Sequence, residues 1–284
     1  MLADLFPKLN QPLEAIPTGL APQLSKLKDI KAVIFDIYGT LVLSGTGDIS
    51  IAQEIDRDSE LRSVLATAGY TPTSDGSLLD SFYALIKDDH TASKDQGAAY
   101  PEVDILEIWA SFFEAQFGTL PESSELMEIA IRFECAVNPV WPMPGLEQLL
   151  DRLNGLNVPI GIVSNAQFYT PLMLEGFTQK SISSLGFQED LSVWSYKERL
   201  GKPSVELFEK LSAALALKGI APSQALYVGN DMLNDIWTAT QAGLKTALFA
   251  GDERSLRMRE SDDRCKNLVP DLIVTDLLQL AEVI

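Results

Sequence analysis

Six side chains are of the types and at the spacings that could do chemistry together: Asp36, Thr40, Ser164, Lys202, Asp231 and Asp235. Asp36 ends the apolar run Ala32-Val-Ile-Phe35, and Gly39-Thr40 follow as a turn. Short apolar runs rich in β-branched and aromatic residues, closed by a glycine turn, read as strands buried on both faces. Asp36 then stands at the carboxyl end of a central strand, where open α/β sheets place their ligands. Ser164-Asn165 closes the run Val158-Pro-Ile160-Gly-Ile162-Val163, Gly201-Lys202-Pro203 opens a helix, and Asp231 and Asp235 follow Ala225-Leu-Tyr-Val228. In a parallel sheet these ends share one rim. A carboxylate nucleophile, a hydroxyl, an ammonium and paired acids there suit metal-assisted transfer to an aspartate. Magnesium fits such a set, because it takes oxygen ligands, keeps waters and needs only one or two carboxylates beside a substrate phosphate. Plainer readings exist for each residue: Ser164 as a helix cap, Asp235 as a first-turn acid, Lys202 as a surface lysine.

The elements that must position these groups alternate strand and helix. Leu191-Ser-Val-Trp-Ser195, Lys245-Thr-Ala-Leu-Phe249 and Leu272-Ile-Val274 supply further strands. The alternation predicts an α/β fold with a doubly wound parallel sheet. Between Ser44 and about Val140 the pattern changes. Apolar residues recur at helical spacing: Ile51, Ile55, Leu61, Val64, Leu65; then Leu78, Leu79, Phe82, Leu85, Ile86; then Ile105, Ile108, Trp109, Phe112, Phe113; then Glu125 to Val137. This block reads as an all-helical module with no strand, inserted after the first strand. Its aromatic residues fit a core. Within it Glu102 and Asp104 read as caps or surface acids, His90 as part of a solvated loop, and Arg57 and Arg62 as solvated surface. Ser44 to Asp48 and Trp141 to Gly145 are the natural hinges.

Composition narrows the partners. The 284 residues carry a net charge of −18, from 22 basic and 40 acidic side chains. That field repels nucleic acid and anionic membrane surfaces but leaves room for a small anionic substrate met by local cations. Cys135 and Cys265 lie far apart without metal-ligand spacing, so both read as buried thiols. With no basic leader ahead of an unbroken apolar run, and no stretch of about 18 apolar residues, a cytoplasmic protein is expected. Residues 1–30 read as a broken helix or arm packing on the core or on a neighbouring subunit, in a monomer or a homodimer.

In its motifs the chain resembles the haloacid dehalogenase superfamily. Asp36-Ile-Tyr-Gly-Thr40 matches the first motif, Ser164 the second, Gly201-Lys202-Pro203 the third, and Asp231 with Asp235 the fourth. The resemblance implies a Rossmann-like core over residues 1–43 and 144–284, with a helical cap over 44–143. It implies Asp36 as the attacking carboxylate, with Thr40, Ser164, Asn165 and Lys202 contacting substrate or nucleophile. It implies magnesium held by Asp36, the Tyr38 backbone carbonyl, Asp231 and Asp235. Tyr38 departs from the pattern, because phosphatases of the superfamily usually carry a second Asp there, as the acid and base of the reaction. A phenol makes a poor base. Asp-x-Tyr-Gly-Thr resembles the 2-haloacid dehalogenases, which need no metal, whereas Asp231 and Asp235 resemble the metal-type acids. The expected activity is magnesium-dependent phosphatase-type hydrolysis of a small phosphorylated metabolite. Carbon–halogen cleavage, carbon–phosphorus cleavage using Lys87 or Lys94, and a non-catalytic binding role are the alternatives.

Overall fold

Ala32–Phe35 forms β1 in the computed structural model, which describes residues 1–45, 57–72 and 76–284. All four of its side chains are fully buried, as the unbroken apolar run requires. Strands β4 (Ile160–Ser164), β5 (Phe187–Trp194), β6 (Ala225–Gly229), β7 (Lys245–Phe249) and β8 (Leu272–Val274) join it in one sheet. The order is β5-β4-β1-β6-β7-β8, and every pairing is parallel. β1 lies between β4 and β6, with Phe35 opposite both Ile162 and Val228. Because the strands run the same way, the residues after Phe35, Val163 and Val228 emerge on one edge. That edge carries the site.

The inserted block holds the helices Arg57–Thr67, Leu78–Asp95, Ile105–Phe117 and Ser123–Val137. Their shared core is aromatic: Phe82 lies 4.7 Å from Trp109, ring centre to ring centre, and Trp109 lies 5.7 Å from Phe133. Ile51 and Ile55 of the first expected helix, and part of the Ser44 to Asp48 hinge, fall outside the described residues. The block is not free of strands at its ends. β2 (Val42–Ser44) and β3 (Val140–Pro142) pair antiparallel, Leu43 opposite Trp141, where the chain leaves the sheet and where it returns. Three-residue strands are too short to show a period, so helical spacing alone missed them.

Three further expectations are corrected. His90 sits inside the helix Leu78–Asp95, which runs on through polar residues, and Asp89 beside it pairs with Arg199 at 2.6 Å. β5 starts at Phe187, ahead of the expected Leu191, because an edge strand tolerates the exposed Glu189 and Asp190. Lys202 precedes its helix, which begins only at Glu206. The N-terminal segment packs as expected on its own chain: Phe6 is buried, and Gln23 pairs with Ile273 next to β8. No helix of the described residues is long and apolar enough to cross a membrane.

Candidate active site

Lys202 is the centre of the edge. Its Nζ donates to Asp36 Oδ1 at 2.8 Å, to Asp235 Oδ1 at 2.6 Å and to the Tyr227 hydroxyl at 3.1 Å. The ammonium is buried, which alone would lower its pKa, yet the carboxylates of Asp235 and Asp36 outweigh burial and hold it above the ordinary lysine value. It is therefore a fixed cation. The Asn165 side chain sets its backbone: the Lys202 N–H donates to Asn165 Oδ1 at 2.7 Å, and Asn165 Nδ2 donates to the Lys202 carbonyl at 3.4 Å.

Asp235 is almost completely buried and fully engaged. Its Oδ1 accepts from Lys202 and from Tyr227 at 3.0 Å, and its Oδ2 accepts the Asp231 N–H at 2.9 Å. Burial pushes its carboxyl up to about 6, against the pull of Lys202 and helped by the negative charges of Asp36 and Asp231. The approach depends on Gly229 at the end of β6, where a Cβ would stand only 2.3 Å from Asp235 Cγ. Asp231 caps the π-helical turn Met232–Trp237, accepting the Leu233 and Asn234 N–H groups at 2.8 and 3.1 Å. Arg259 grips both of its oxygens, the shortest contact being 2.6 Å.

A cavity of about 270 Å³ opens over this cluster, lined among others by Asp36, Tyr38, Asn165, Lys202, Asp231 and Asp235. The structure thus brings together six of the eight expected site residues. Thr40 and Ser164 are buried and do not line it. Thr40 Oγ1 donates instead to Asn230 Oδ1 at 3.0 Å, behind Gly39. Ser164 turns its hydroxyl to the Asn165 carbonyl at 3.4 Å. Thr40 thereby ties the loop after β1 to the loop after β6, and Ser164 bonds within its own turn. Tyr38 is present, but its phenol bonds Thr170 at 3.1 Å, and burial, with Glu134 nearby, drives its pKa far above the ordinary value. It holds its proton through any physiological cycle.

Several residues of the site escaped sequence reasoning. Tyr227 sits mid-strand in Ala-Leu-Tyr-Val, and a phenol in a buried strand demands a polar partner; that signal was readable. Arg257, Arg259 and Tyr169 gave none, because nothing local marks a residue that meets its partner across the fold. Glu102 is the clearest correction among the acids. Partly buried, it lines the cavity, accepting from Ser195 at 3.0 Å and from the Val103 N–H at 3.1 Å, and burial raises its pKa. Glu134 lines the cavity from the helix Ser123–Val137. The Lys87 and Lys94 candidates do not line it.

In this arrangement two of the expected ligands, Asp231 and Asp235, have no oxygen free for a divalent ion. Asp231 spends both oxygens on Arg259 and backbone N–H groups, and Asp235 spends both on Lys202, Tyr227 and its own helix cap. Among the described residues no group of three or more His, Cys, Asp or Glu side chains could hold a metal. Arg259 and Lys202 hold carboxylate oxygens of Asp231 and Asp235 in its place.

A six-stranded parallel sheet with these groups on its carboxyl edge and helices inserted after β1 defines an α/β protein with a Rossmann-like core. The chain belongs to the haloacid dehalogenase-like hydrolases, whose family model matches residues 30–243. A crystal structure of a 2-haloacid dehalogenase from Pseudomonas syringae pv. Tomato is similar over 89% of this chain and 97% of its own, at 22% identity and a TM-score of 0.54. An L-2-haloacid dehalogenase matches over 90% and 98%, at 19% identity and 0.52. A phosphatase of the superfamily from Thermococcus onnurineus matches over 89% and 97%, at 19% and 0.51. Likeness at these identities shows the fold and does not separate dehalogenase from phosphatase. No curated protein matches the chain.

Proposed function

We propose that the chain cleaves a carbon–halogen bond in a small monoanionic acid, through an ester formed on Asp36, with residues 44–143 acting as a cap over a core of residues 1–43 and 144–284. The observation that carries this reading is the closure of the carboxylates by fixed cations. Around one cavity Lys202 engages Asp36 and Asp235 and Arg259 engages Asp231, while Arg257, Glu102 and Glu134 also stand on the lining. With five acids and three cations on its lining the cavity admits the smaller charge of a monoanion more readily than that of a dianion. A phosphate dianion would need the additional charge of a divalent ion, for which Asp231 has no oxygen to spare. Halide departure also needs no leaving-group acid, which agrees with Tyr38 at the position of the missing carboxylate.

In this reading Lys202 holds Asp36 Oδ1, and Oδ2 attacks the carbon bearing the halogen, which leaves as halide with the bonding pair. Water then attacks the carboxyl carbon of the resulting ester. Asp235, which shares Lys202 with Asp36, takes the water proton as one of its own hydrogen bonds yields, and the hydroxy acid is released with Asp36 restored. The products are the hydroxy acid, halide and a proton.

Magnesium-dependent phosphatase-type turnover of a small phosphorylated metabolite is the second reading, favoured by Asp231 lying in the same cavity as Asp36. It requires Arg259 to leave Asp231. One screen separates the two: 2-haloacids, phosphomonoesters and phosphonates, each with magnesium and with chelator. Halide release indifferent to chelator is the expected outcome. Phosphate release that stops with chelator would replace the first reading by the second. An Asp36→Asn variant with unchanged turnover of every substrate removes both.

A further inference from the structure

The wall of the cavity opposite Lys202 is polar, and its polarity is built rather than incidental. Glu134 is half-buried there, its carboxylate fixed from two sides: Asn138 Nδ2 donates to Oε1 at 2.9 Å, and the Tyr169 hydroxyl donates to Oε2 at 3.0 Å. Asn138 is itself set by Ser44, whose Oγ donates to its Oδ1 at 2.7 Å. Glu134, Asn138, Tyr169 and Ser44 all line the cavity. They come from both ends of the inserted block and from the helix Tyr169–Thr178, so three parts of the chain converge on one acceptor.

We propose that Glu134 selects substrates that carry a hydroxyl or ammonium donor on the carbon skeleton beyond the reacting centre. Each carboxylate oxygen has more than one acceptor direction, and Asn138 and Tyr169 use one apiece. A substrate that closed the cavity with a methyl or longer alkyl group would strip water from Glu134 and return nothing. Leaving the remaining acceptor capacity of a half-buried carboxylate unfilled costs more than an apolar contact returns. A hydroxyl or ammonium replaces the lost water. Burial already raises the pKa of Glu134, a sign that the carboxylate is short of solvent even before a ligand enters. Simple aliphatic haloacids are therefore poor substrates, and hydroxy- or amino-substituted ones are good.

This inference rests on the proposed reaction only for the identity of the reacting end, and its test is independent of turnover. Glycerate and lactate share a hydroxy acid head and differ by one terminal hydroxyl. Calorimetric titration of the protein with each should show glycerate binding about tenfold tighter or more, since a site built to accept a substrate's hydrogen bond rejects the analogue lacking the donor. In Glu134→Ala the ratio should fall close to one. Glu134→Gln keeps the shape and guards against a folding defect; it too should lower the ratio. Equal affinities in the native protein, a preference that survives both substitutions, or no measurable binding of either ligand would overturn the proposal. Halide release from 2-haloacids is scored separately. A protein that prefers glycerate yet releases no halide refutes the reaction and leaves the selectivity of this wall standing.

Discussion

A lysine shared by two buried carboxylates is a costly arrangement unless each charge keeps a partner, and here each does. Lys202 answers Asp36 and Asp235, and Tyr227 adds a donor to Asp235. The residual cost surfaces in Asp235. Its folded pKa of about 6 lies above the ordinary 3.8, so the folded state binds this proton more tightly than the unfolded chain does. The stability it contributes is complete below pH 3.8 and is lost as the pH rises through 6. Lys202 works in the other range: its raised pKa contributes stability that persists up to the ordinary lysine value and disappears only above it. Urea unfolding of the native protein and of Asp235→Asn, compared at intervals from pH 4 to 7, isolates the carboxyl. The native midpoint should fall relative to the variant across that window and then level off. A difference between the two that stays constant from pH 4 to 7 would show that Asp235 is not held in this way.

Strand ends, rather than loops, aim most of this chemistry, and that explains what the sequence disclosed. β1 was legible to the residue because four consecutive buried side chains leave no other reading, and Asp36 came with it. β4 and β6 delivered Asn165, Asp231 and Asp235 in the same way. What stayed hidden was the occupancy of those groups. The sequence shows that Asp231 is an acid after a strand; it does not show Arg259, twenty-eight positions on, closing over it. Nor does local pattern distinguish Glu102 on the surface from Glu102 in a cavity, since burial there is decided by Ser195 and Gln167 arriving from the core. One residue type did carry a readable positional demand. Gly229 ends β6, and any side chain there would displace Asp235, whose Cγ is 2.3 Å from the position of an added Cβ. Gly229→Ala should therefore leave the sheet folded by circular dichroism while lowering kcat by about 10²-fold, the cost of displacing a catalytic group by roughly an ångström. Near-native kcat in this variant would mean that Asp235 need not lie where the strand end puts it.

At the scale of the whole molecule an anion is drawn only at contact range. Lys202, Arg257 and Arg259 can each meet it inside the cavity, but five acids share that lining, the chain as a whole carries −18, and beyond the local site an approaching anion meets that net field. The balance between them is set by ionic strength. The screening length is about 30 Å at 0.01 M salt and about 8 Å at 0.15 M, so added salt removes the distant repulsion while partly buried pairs such as Lys202–Asp36 are screened far less. For an anionic substrate kcat/KM should accordingly rise several-fold, in order of magnitude, as salt goes from about 0.01 to 0.15 M, with kcat unchanged because chemistry inside the cavity feels little of the bulk ions. A neutral amide analogue of the same acid should bind with no salt dependence. The opposite slope, in which salt weakens capture of the anion, would mean that the three cavity cations project their field beyond the rim and govern encounter despite the acidic surface. Such a result would place the rate of capture with Arg257 and Arg259, and charge reversal on the remote surface would then leave it untouched.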